Sequence, residues 1–295
     1  MTPPDHPLTS PAAADGSLGP PPSVTANAPD PAAEALTSAS AAPAAAPDAA
    51  PDIESPDVPV DVTTRVADRV ASLIEVALCS GFPTQLTVMI GLALAGLQPF
   101  LGGGALSLQY VALLSLFDTV LLVGLILLFT RMRGERAGAL FLGGRPVVRE
   151  ALVGVAWVPA VLLVVGALGL AINQVAPWLR NVPENPLAAL LRNPRDAAIF
   201  AVVVVVAGGL REEIQRAFIL DRFERHLGGA LVGLVLFSVA FGLGHALQGW
   251  DAVLLTGSLG VIWGAMFLAR RSVVAPMACH AVFNLSQVLY HAHRG

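Results

Sequence analysis

Residues 197–225 read AAIFAVVVVVAGGLREEIQRAFILDRFER, and this stretch decides how the rest of the chain is interpreted. Its first half is a valine-rich apolar run, and its charged residues follow that run without a break. The sequence therefore predicts that the charges lie on a helix that begins as a membrane span. Ionisable side chains inside a bilayer are costly and usually functional, so this helix is expected to carry a functional site. The charged residues concerned are Arg211, Glu212, Glu213 and Arg216.

The composition of the chain is typical of a membrane protein with several spans. Of 295 residues, 55% are hydrophobic and 13% are charged, and the mean hydropathy is +0.70. Soluble globular chains carry about 25% charged residues, so the lipid bilayer is the expected partner. Cys79 and Cys279 are too few for a disulfide framework or a cysteine-rich metal site. The arginines form no stripe of the kind that binds nucleic acid.

Two segments precede the predicted spans. Residues 1–61 are dominated by Ala, Pro, Ser and Asp, which predicts a disordered acidic tail because such a segment cannot bury enough apolar surface to order itself. Residues 62–80 follow as a juxtamembrane amphipathic helix that lies on the membrane surface and leads into the bilayer. Its predicted apolar face consists of Val66, Val70, Leu73, Ile74 and Leu78.

The remaining sequence predicts an all-α, polytopic transmembrane bundle of about seven spans, because a transmembrane helix needs roughly 20 apolar residues. We divide this part into N-terminal transmembrane helices at residues 81–195 and a catalytic transmembrane core at residues 196–292. The first span is the weakest, since it contains Gln85, Gln98 and Pro99. The predicted spans cover residues 83–101, 105–130, 151–172, 196–226, 230–248, 251–269 and 273–290.

The distribution of arginines predicts the orientation in the cell membrane. The segment before the first span and the loops after the second, fourth and sixth spans hold eleven arginines. The opposite loops and the C-terminus hold four, namely Arg180, Arg192, Arg195 and Arg294. By the positive-inside rule, the N-terminus is cytoplasmic, the C-terminus is outside, and the glutamate helix runs inwards.

Polar residues interrupt the apolar pattern of the last hundred residues in three places. Taken singly, each has an ordinary structural explanation as a hydrogen bond between membrane helices or as an ion pair within one helix. Asp118, within the second span, is either hydrogen-bonded between helices or the ionic partner of Arg211 or Arg216 on another helix. The three groups are Glu212 and Glu213 with Arg216, His245 in FGLGH, and His280 with Asn284 in HAVFN.

The spacing of these groups allows them to meet at one depth in the membrane. Glu212 lies about 15 residues before the Gly228–Gly229 turn and His245 about 17 residues after it. At about 1.5 Å per residue the two arms differ by ~3 Å, so the two side chains can share a level. His280 reaches that level only if the helices tilt or the glycine turn protrudes into the cytoplasm. Asn284 lies one helical turn beyond His280 and faces the same side.

Such a set of residues suits hydrolysis, by either of two mechanisms. A carboxylate near neutral histidines can take a proton from water, while His and Asn donate hydrogen bonds to a developing oxyanion. Alternatively, Glu212, His245 and His280 can bind a catalytic divalent metal such as Zn, with one position open for water. The sequence leaves both mechanisms open, so the expected cofactor is either none or a divalent metal.

The motifs resemble those of the CAAX protease and bacteriocin-processing (CPBP) family of intramembrane proteases, which are EExxxR, FxxxH and HxxxN. Phe241 with His245 matches the second motif, and His280 with Asn284 matches the third. The first motif departs from the family pattern, because Arg216 lies four positions beyond Glu212 and the family has five. The resemblance covers residues 196–292, about a third of the chain.

This resemblance implies an intramembrane endopeptidase, glutamate-dependent or metallo-, that hydrolyses a peptide bond of a membrane-associated protein or peptide. In the family the first glutamate is implicated in activating water and the second assists. We favour Glu212 as the base because it keeps an i, i+4 relation with Arg216, and Glu213 is its neighbour. His245, His280 and Asn284 then stabilise the intermediate or hold the metal.

Two other functions remain as alternatives. The irregular first motif is compatible with a catalytically silent binding or immunity-type protein of the same fold. Intramembrane Glu, His and Arg also build the proton relays of transporters. Transporters often contain inverted repeats, and this sequence has no visible internal symmetry, so the transporter is the less favoured alternative.

Overall fold

The computed structural model describes residues 62–102, 104–183 and 185–293, so the predicted disordered tail lies outside the described residues. Within those ranges the protein is all-α, without a named strand, and one isolated bridge joins Phe100 to Leu106. The predicted fold class, a bundle of helices, is confirmed.

The described chain forms ten α-helices. They are α1 Val62–Leu78, α2 Phe82–Leu94, α3 Leu108–Met132, α4 Ala137–Leu142, α5 Val147–Val175, α6 Pro194–Val203, α7 Glu212–His226, α8 Ala230–Leu243, α9 Trp250–Arg270 and α10 Val274–Ala292. A π-helical segment, Val204–Arg211, joins α6 to α7. Short 3-10 turns lie at Pro177–Leu179, Ala188–Leu190 and Ala246–Gln248.

Each of the seven predicted spans has a helix at its position. Judged by length and hydropathy, however, only some of these helices are apolar enough to cross a membrane. Within the described residues, four stretches are long and apolar enough to cross a membrane: Val62–Leu94, Leu108–Met132, Ala137–Val175 and Trp250–Arg270. The helices α7 and α10 carry the charged and polar residues described above, which lower their hydropathy. The number of seven spans therefore stays a prediction.

The local sequence explains where several helices begin and end. Ser107 caps α3 by accepting a hydrogen bond from the backbone N–H of Tyr110, and Asn193 caps α6 in the same way, just before a proline. The predicted turn between α7 and α8 is present, and Gly228 and Gly229 both have φ near +100°, which favours glycine.

The first predicted span ends earlier than expected. The predicted span extends to residue 101, whereas α2 ends at Leu94. Gly96 follows with φ of 79°, and Pro99 lies beyond it, so neither residue continues a helix. In the structure α1 and α2 together form one candidate span of 33 residues, and the surface position predicted for α1 stays a prediction.

The helix α1 packs against the bundle with its polar side. Ser72 and Glu75 are buried, and they accept hydrogen bonds from Arg133 at 3.0 and 2.6 Å. The predicted apolar face of α1 is exposed along its whole length. This arrangement is the reverse of a helix on a soluble protein, and it suits a helix whose apolar side faces lipid.

The helices that carry the motifs pack closely because glycines lie at their crossings. A Cβ on Gly154 of α5 would lie 2.1 Å from the carbonyl oxygen of Ala275 in α10. A Cβ on Gly242 of α8 would lie 2.6 Å from the carbonyl oxygen of Val253 in α9. Small residues allow such close backbone approaches in membrane bundles, and these crossings bring α7, α8, α9 and α10 around one cavity.

Candidate active site

The π-helical segment ends directly before Glu212 and shapes the wall of the site. π-helical turns are rare and frequently lie at functional sites. Asn284 of α10 donates a hydrogen bond from Nδ2 to the carbonyl oxygen of Val204 at 3.3 Å. A Cβ on Gly208 would lie 2.4 Å from that same Nδ2 atom. The segment therefore lets Asn284 approach the glutamate helix at a point where only glycine leaves space.

Glu213 is buried and is the partner of two site residues. Its side chain is 1% exposed. Its Oε1 atom accepts a hydrogen bond from Nδ1 of His280 at 2.8 Å and pairs with Arg216. The structure thus pairs Arg216 with the glutamate three residues before it. The i, i+4 spacing had favoured Glu212 as its neighbour, whereas in the structure Glu212 points towards the cavity and Arg211.

Arg216 is fully buried among aromatic rings. Its guanidinium carbon lies 5.2 Å from the ring centroid of Phe237, 5.1 Å from that of Phe241 and 5.8 Å from that of Trp263. Each distance is short enough for a cation–π interaction. Among the described residues, Glu213 is the carboxylate that pairs with this buried charge, and the ring faces are its other neighbours.

His280 is held on two sides and presents one nitrogen to the cavity. Its ring stacks on Trp263 with centroids 3.6 Å apart and an interplanar angle of 17°. An ionised carboxylate only accepts hydrogen bonds, so the bond to Glu213 places a proton on Nδ1. The other nitrogen, Nε2, lies 3.8 Å from Oε2 of Glu212. Glu213 and Trp263 therefore fix both the orientation and the tautomer of the ring.

Glu212 faces the cavity and is oriented by an ion pair behind it. Its side chain is 16% exposed, and its Oε1 atom accepts a hydrogen bond from Nη2 of Arg211 at 3.2 Å. Nη1 of the same arginine donates to Oδ2 of Asp118 in α3 at 2.8 Å. Of the two explanations for Asp118, the structure has the ion pair, and its partner is Arg211.

His245 follows the C-terminal end of α8. Its Nδ1 atom lies 2.9 Å from the carbonyl oxygen of Phe241. A carbonyl accepts, so Nδ1 is the donor, and Nε2 of the neutral ring is left without a proton. The ring also packs edge-on against Phe241, with centroids 5.0 Å apart.

One cavity of about 480 Å³ brings most of the predicted site residues together. Glu212, His245, His280 and Asn284 line it. Glu213 and Arg216 do not line it and lie behind the wall, where they support His280. All six predicted residues thus belong to one region, four at the cavity surface and two in the layer beneath it.

The predicted metal-binding set is not assembled as a ligand cluster. Among the described side chains, no group of three His, Cys, Asp or Glu residues is arranged to hold a metal ion. His245, Glu212 and His280 line the same cavity, and the hydrogen bond from Nδ1 of His280 to Glu213 leaves Nε2 of that ring on the side of Glu212. The divalent metal stays a prediction from the sequence, and we derive no step through it.

The roles of several residues of the site were not predicted from the sequence. Trp263 was indistinguishable from other apolar residues of α9, although it lies between the glycines Gly260 and Gly264, which mark close packing. Arg211 was expected only as a possible partner of Asp118, and its contact with Glu212 was not foreseen. The pair Gly208 and Gly209, directly before the charged residues, could have indicated that another helix approaches the backbone closely at this point.

The comparison with protein families agrees with the motifs. A family model described as type II CAAX prenyl endopeptidase Rce1-like matches residues 194–286. This range runs from the start of α6 into α10 and contains all six predicted site residues. The match confirms the resemblance that the three motifs indicated, over the part of the chain that surrounds the cavity. No curated protein and no solved structure matches the chain.

Proposed function

We propose that this protein is an intramembrane endopeptidase that hydrolyses a peptide bond of a membrane-associated protein or peptide, with Glu212 activating water. The proposal rests on one observation. A carboxylate, two imidazoles and an amide from separate helices line a single cavity, within the range that matches a CAAX-type endopeptidase family. These groups are the ones that peptide hydrolysis without a covalent intermediate needs.

Glu212 acts as the general base because it is the glutamate at the cavity surface. A water molecule between Glu212 and Nε2 of His280 gives one proton to the carboxylate, and its oxygen attacks the carbonyl carbon of the peptide bond. The protonated Glu212 then gives this proton to the leaving nitrogen as the C–N bond breaks. The products are a carboxyl group and an amine, and Glu212 is again ionised.

The other three groups stabilise charge on the substrate. Asn284 has a second N–H on Nδ2, beyond the one that bonds Val204, and this N–H donates to the oxyanion of the tetrahedral intermediate. Nε2 of His280 accepts from the attacking water when the ring is neutral, and donates to the oxyanion when the ring is protonated. Nε2 of His245 accepts a hydrogen bond from a substrate N–H. Glu213 is a positioning residue, because it acts only through His280 and Arg216.

The test is a cleavage assay of the purified protein on a library of apolar membrane peptides, read by mass spectrometry. Glu212→Gln is expected to lower the cleavage rate about 100-fold or more, and His245→Ala is expected to lower it as well. Glu224→Gln is the matched control, since it makes the same change on the same helix outside the cavity. Treatment with a chelator is expected to leave the rate unchanged, because Glu212 needs no metal to take the proton.

The same assay decides between the proposal and its main alternative. Cleavage products that are identical for wild type, Glu212→Gln and His245→Ala would overturn the endopeptidase and leave a silent binding protein of the same fold. Loss of cleavage on adding the chelator, with recovery on adding Zn, would overturn the glutamate mechanism and favour a metal.

A further inference from the structure

The face of α10 that lines the cavity carries four polar side chains in a row, here called the polar row. His280, Asn284, Gln287 and His291 all line the cavity, and they follow one another at intervals of four, three and four residues. A helix turns about 100° per residue, so these intervals keep the four side chains within about 60° of one another. The polar row therefore continues past His280 and Asn284 by two further residues, to which the proposed mechanism assigns no role.

The two further residues have hydrogen-bonding groups that are not used within the protein. Neither Gln287 nor His291 has a side-chain hydrogen bond to any of the described residues. Gln248, in the connection between α8 and α9, lines the same cavity. Its Oε1 atom accepts a hydrogen bond from Nδ2 of Asn185 at 3.3 Å, which leaves the N–H groups of its Nε2 atom unused by the described side chains. An amide or a neutral imidazole can both donate and accept, so all three side chains can bind another molecule.

A peptide that enters this cavity needs such partners. An extended segment has no hydrogen bonds within its own backbone, and backbone N–H and C=O groups that leave water must be paired. Inside a membrane protein an unpaired backbone group is especially costly. Other parts of the lining, such as Leu191, Phe200 and Leu255, are apolar and offer no hydrogen bonds. Polar side chains near the catalytic residues are therefore the groups that can replace the water lost by the peptide.

The spacing along the polar row suits an extended backbone. At about 1.5 Å per residue, Gln287 lies about 4.5 Å beyond Asn284 along the helix axis, and His291 about 6 Å beyond Gln287. One edge of an extended peptide presents its hydrogen-bonding groups at every second residue, which is about 6.6 Å apart. The flexible side chain of Gln287 can cover the difference of ~2 Å. A peptide that lies along α10 can thus bond to Gln287 and His291 while the carbonyl of its cleaved bond lies at Asn284.

We propose that Gln287, His291 and Gln248 form a substrate subsite that binds the backbone of an extended peptide segment next to the cleaved bond. These residues recognise main-chain groups, so the bound segment must be unwound or flexible and cannot be helical. The inference rests on the proposed function, because it assigns substrate-binding residues to the same site. The observation that carries it is the alignment of Gln287 and His291 with His280 and Asn284 on one face of α10.

Steady-state kinetics test the subsite with substitutions that keep the size of the side chain. The probe is the peptide of the apolar library that wild type cleaves fastest. Gln287→Leu and Gln248→Leu are each expected to raise KM about fivefold and to change kcat less than twofold, because each removes a neutral hydrogen bond present before and during the reaction. Gln109→Leu is the matched control, since Gln109 is exposed at the start of α3 and does not line the cavity. Unchanged KM in both subsite variants would overturn the inference.

A series of ester analogues tests whether the contact is with the backbone. Each analogue of the same peptide has one amide outside the cleaved bond replaced by an ester, which removes one N–H and weakens one carbonyl acceptor. At the position that contacts Gln287, the ester should raise KM about fivefold with wild type but less than twofold with Gln287→Leu, because the effects of two contacting groups are not additive. Additive effects at every position, for both Gln287→Leu and Gln248→Leu, would overturn recognition of the backbone.

Binding without cleavage separates this inference from the proposed function. Fluorescently labelled peptides of the library are titrated with Glu212→Gln and with the double variant Glu212→Gln, Gln287→Leu, and the Kd is expected to be about fivefold higher for the double variant. This difference, with no cleavage of any library peptide by wild type, would overturn the endopeptidase and keep the subsite. Equal Kd values, with cleavage by wild type, would overturn the subsite and keep the endopeptidase. Absence of both binding and cleavage would overturn both.

Discussion

Glu212 and Glu213 are neighbours in sequence but occupy different environments, because adjacent residues of a helix point about 100° apart. Glu212 lines the cavity and bonds Arg211, whereas Glu213 is buried against Arg216 and His280. Substitution of Glu212 should therefore impair catalysis, whereas substitution of Glu213 should impair stability.

We predict that Glu212→Gln abolishes cleavage while the midpoint of thermal unfolding changes little, because its side chain is partly exposed and has one hydrogen-bond partner. Glu213→Gln should destabilise the protein by about 3–5 kcal/mol, since it leaves the charge of Arg216 buried without a partner. Cleavage rates and the Tm of both variants in the same detergent check this. Equal loss of stability in the two variants would contradict the assignment.

Arg211 and Asp118 form the ion pair that orients Glu212, so Arg211 is a positioning residue. We predict that Arg211→Gln lowers kcat about tenfold or more and changes KM little, because a misplaced base slows the chemical step without altering substrate contacts. Arg211→Lys should recover part of the rate, since it restores the charge next to Asp118. Steady-state kinetics of the three proteins measure this. A rise in KM at constant kcat would instead place Arg211 in substrate binding.

At the scale of elements, the π-helical segment matters because it lets α10 approach the glutamate helix. The carbonyl oxygen of Val204, at the start of this segment, accepts a hydrogen bond from Asn284, and Gly208 provides the space for that side chain. An ordinary α-helix with a larger residue at this position would push Asn284 away from the cavity.

We predict that Gly208→Ala lowers the cleavage rate at least tenfold, because the added methyl group would meet Nδ2 of Asn284 at 2.4 Å. Gly166→Ala in α5 is the matched control. No atom lies within 4 Å of a Cβ at Gly166, and alanine favours a helix over glycine by about 0.5–1 kcal/mol. The control should keep full activity and an equal or higher Tm. Full activity of Gly208→Ala would remove Asn284 from the mechanism.

The carboxylate of Glu75 connects α1 both to α7 and to Arg133, which follows α3. Glu75 accepts from Arg222 and from Arg133, both at 2.6 Å, and Arg222 is fully buried. We predict that Glu75→Gln destabilises the protein by about 3 kcal/mol, since it weakens the buried pairing of these charges.

Asp68→Asn on the same helix is the control for Glu75→Gln. Asp68 lies 4.0 Å from Arg133 and its side chain is about half exposed, so its loss should change stability by less than about 1 kcal/mol. Chemical denaturation of both variants in detergent micelles measures the difference. Similar midpoints for the two variants would show that α1 is held by its apolar contacts and not by Glu75.

At the scale of the whole molecule, the bundle has two unlike ends. One end carries eleven of the sixteen arginines of the described residues and the ion pairs that join α1, α5, α7 and α9 to their neighbours. The other end carries Asn185 and Gln248 of the cavity lining. The positive-inside rule predicts that the arginine-rich end is cytoplasmic.

We predict that a C-terminal fusion to alkaline phosphatase is active and that a C-terminal fusion to green fluorescent protein is dark, because the charge bias places the end of α10 outside. Both fusions are measured in whole cells, with matched expression levels as the control. A fluorescent and phosphatase-negative pair would contradict the predicted orientation and place the end of α10 in the cytoplasm.

Much of this molecule could be predicted from the sequence, because hydropathy, helical periodicity and glycine turns act over short distances along the chain. These features determined the all-α bundle, the amphipathic α1, the turn at Gly228 and Gly229, and the three motifs. The boundary of α2 was missed because the apolar run continues past Gly96, and only the backbone conformation there ends the helix.

The tertiary structure alone decided which partners the charged groups take. The sequence by itself could not show that Arg216 pairs with Glu213, that Arg211 lies between Asp118 and Glu212, or that His280 stacks on Trp263. Each of these contacts depends on the rotation and separation of packed helices, which no local pattern specifies. The stretch from residue 197 to 225 determined where the charges lie along the chain, and the packing around it determined that Glu212 faces the cavity.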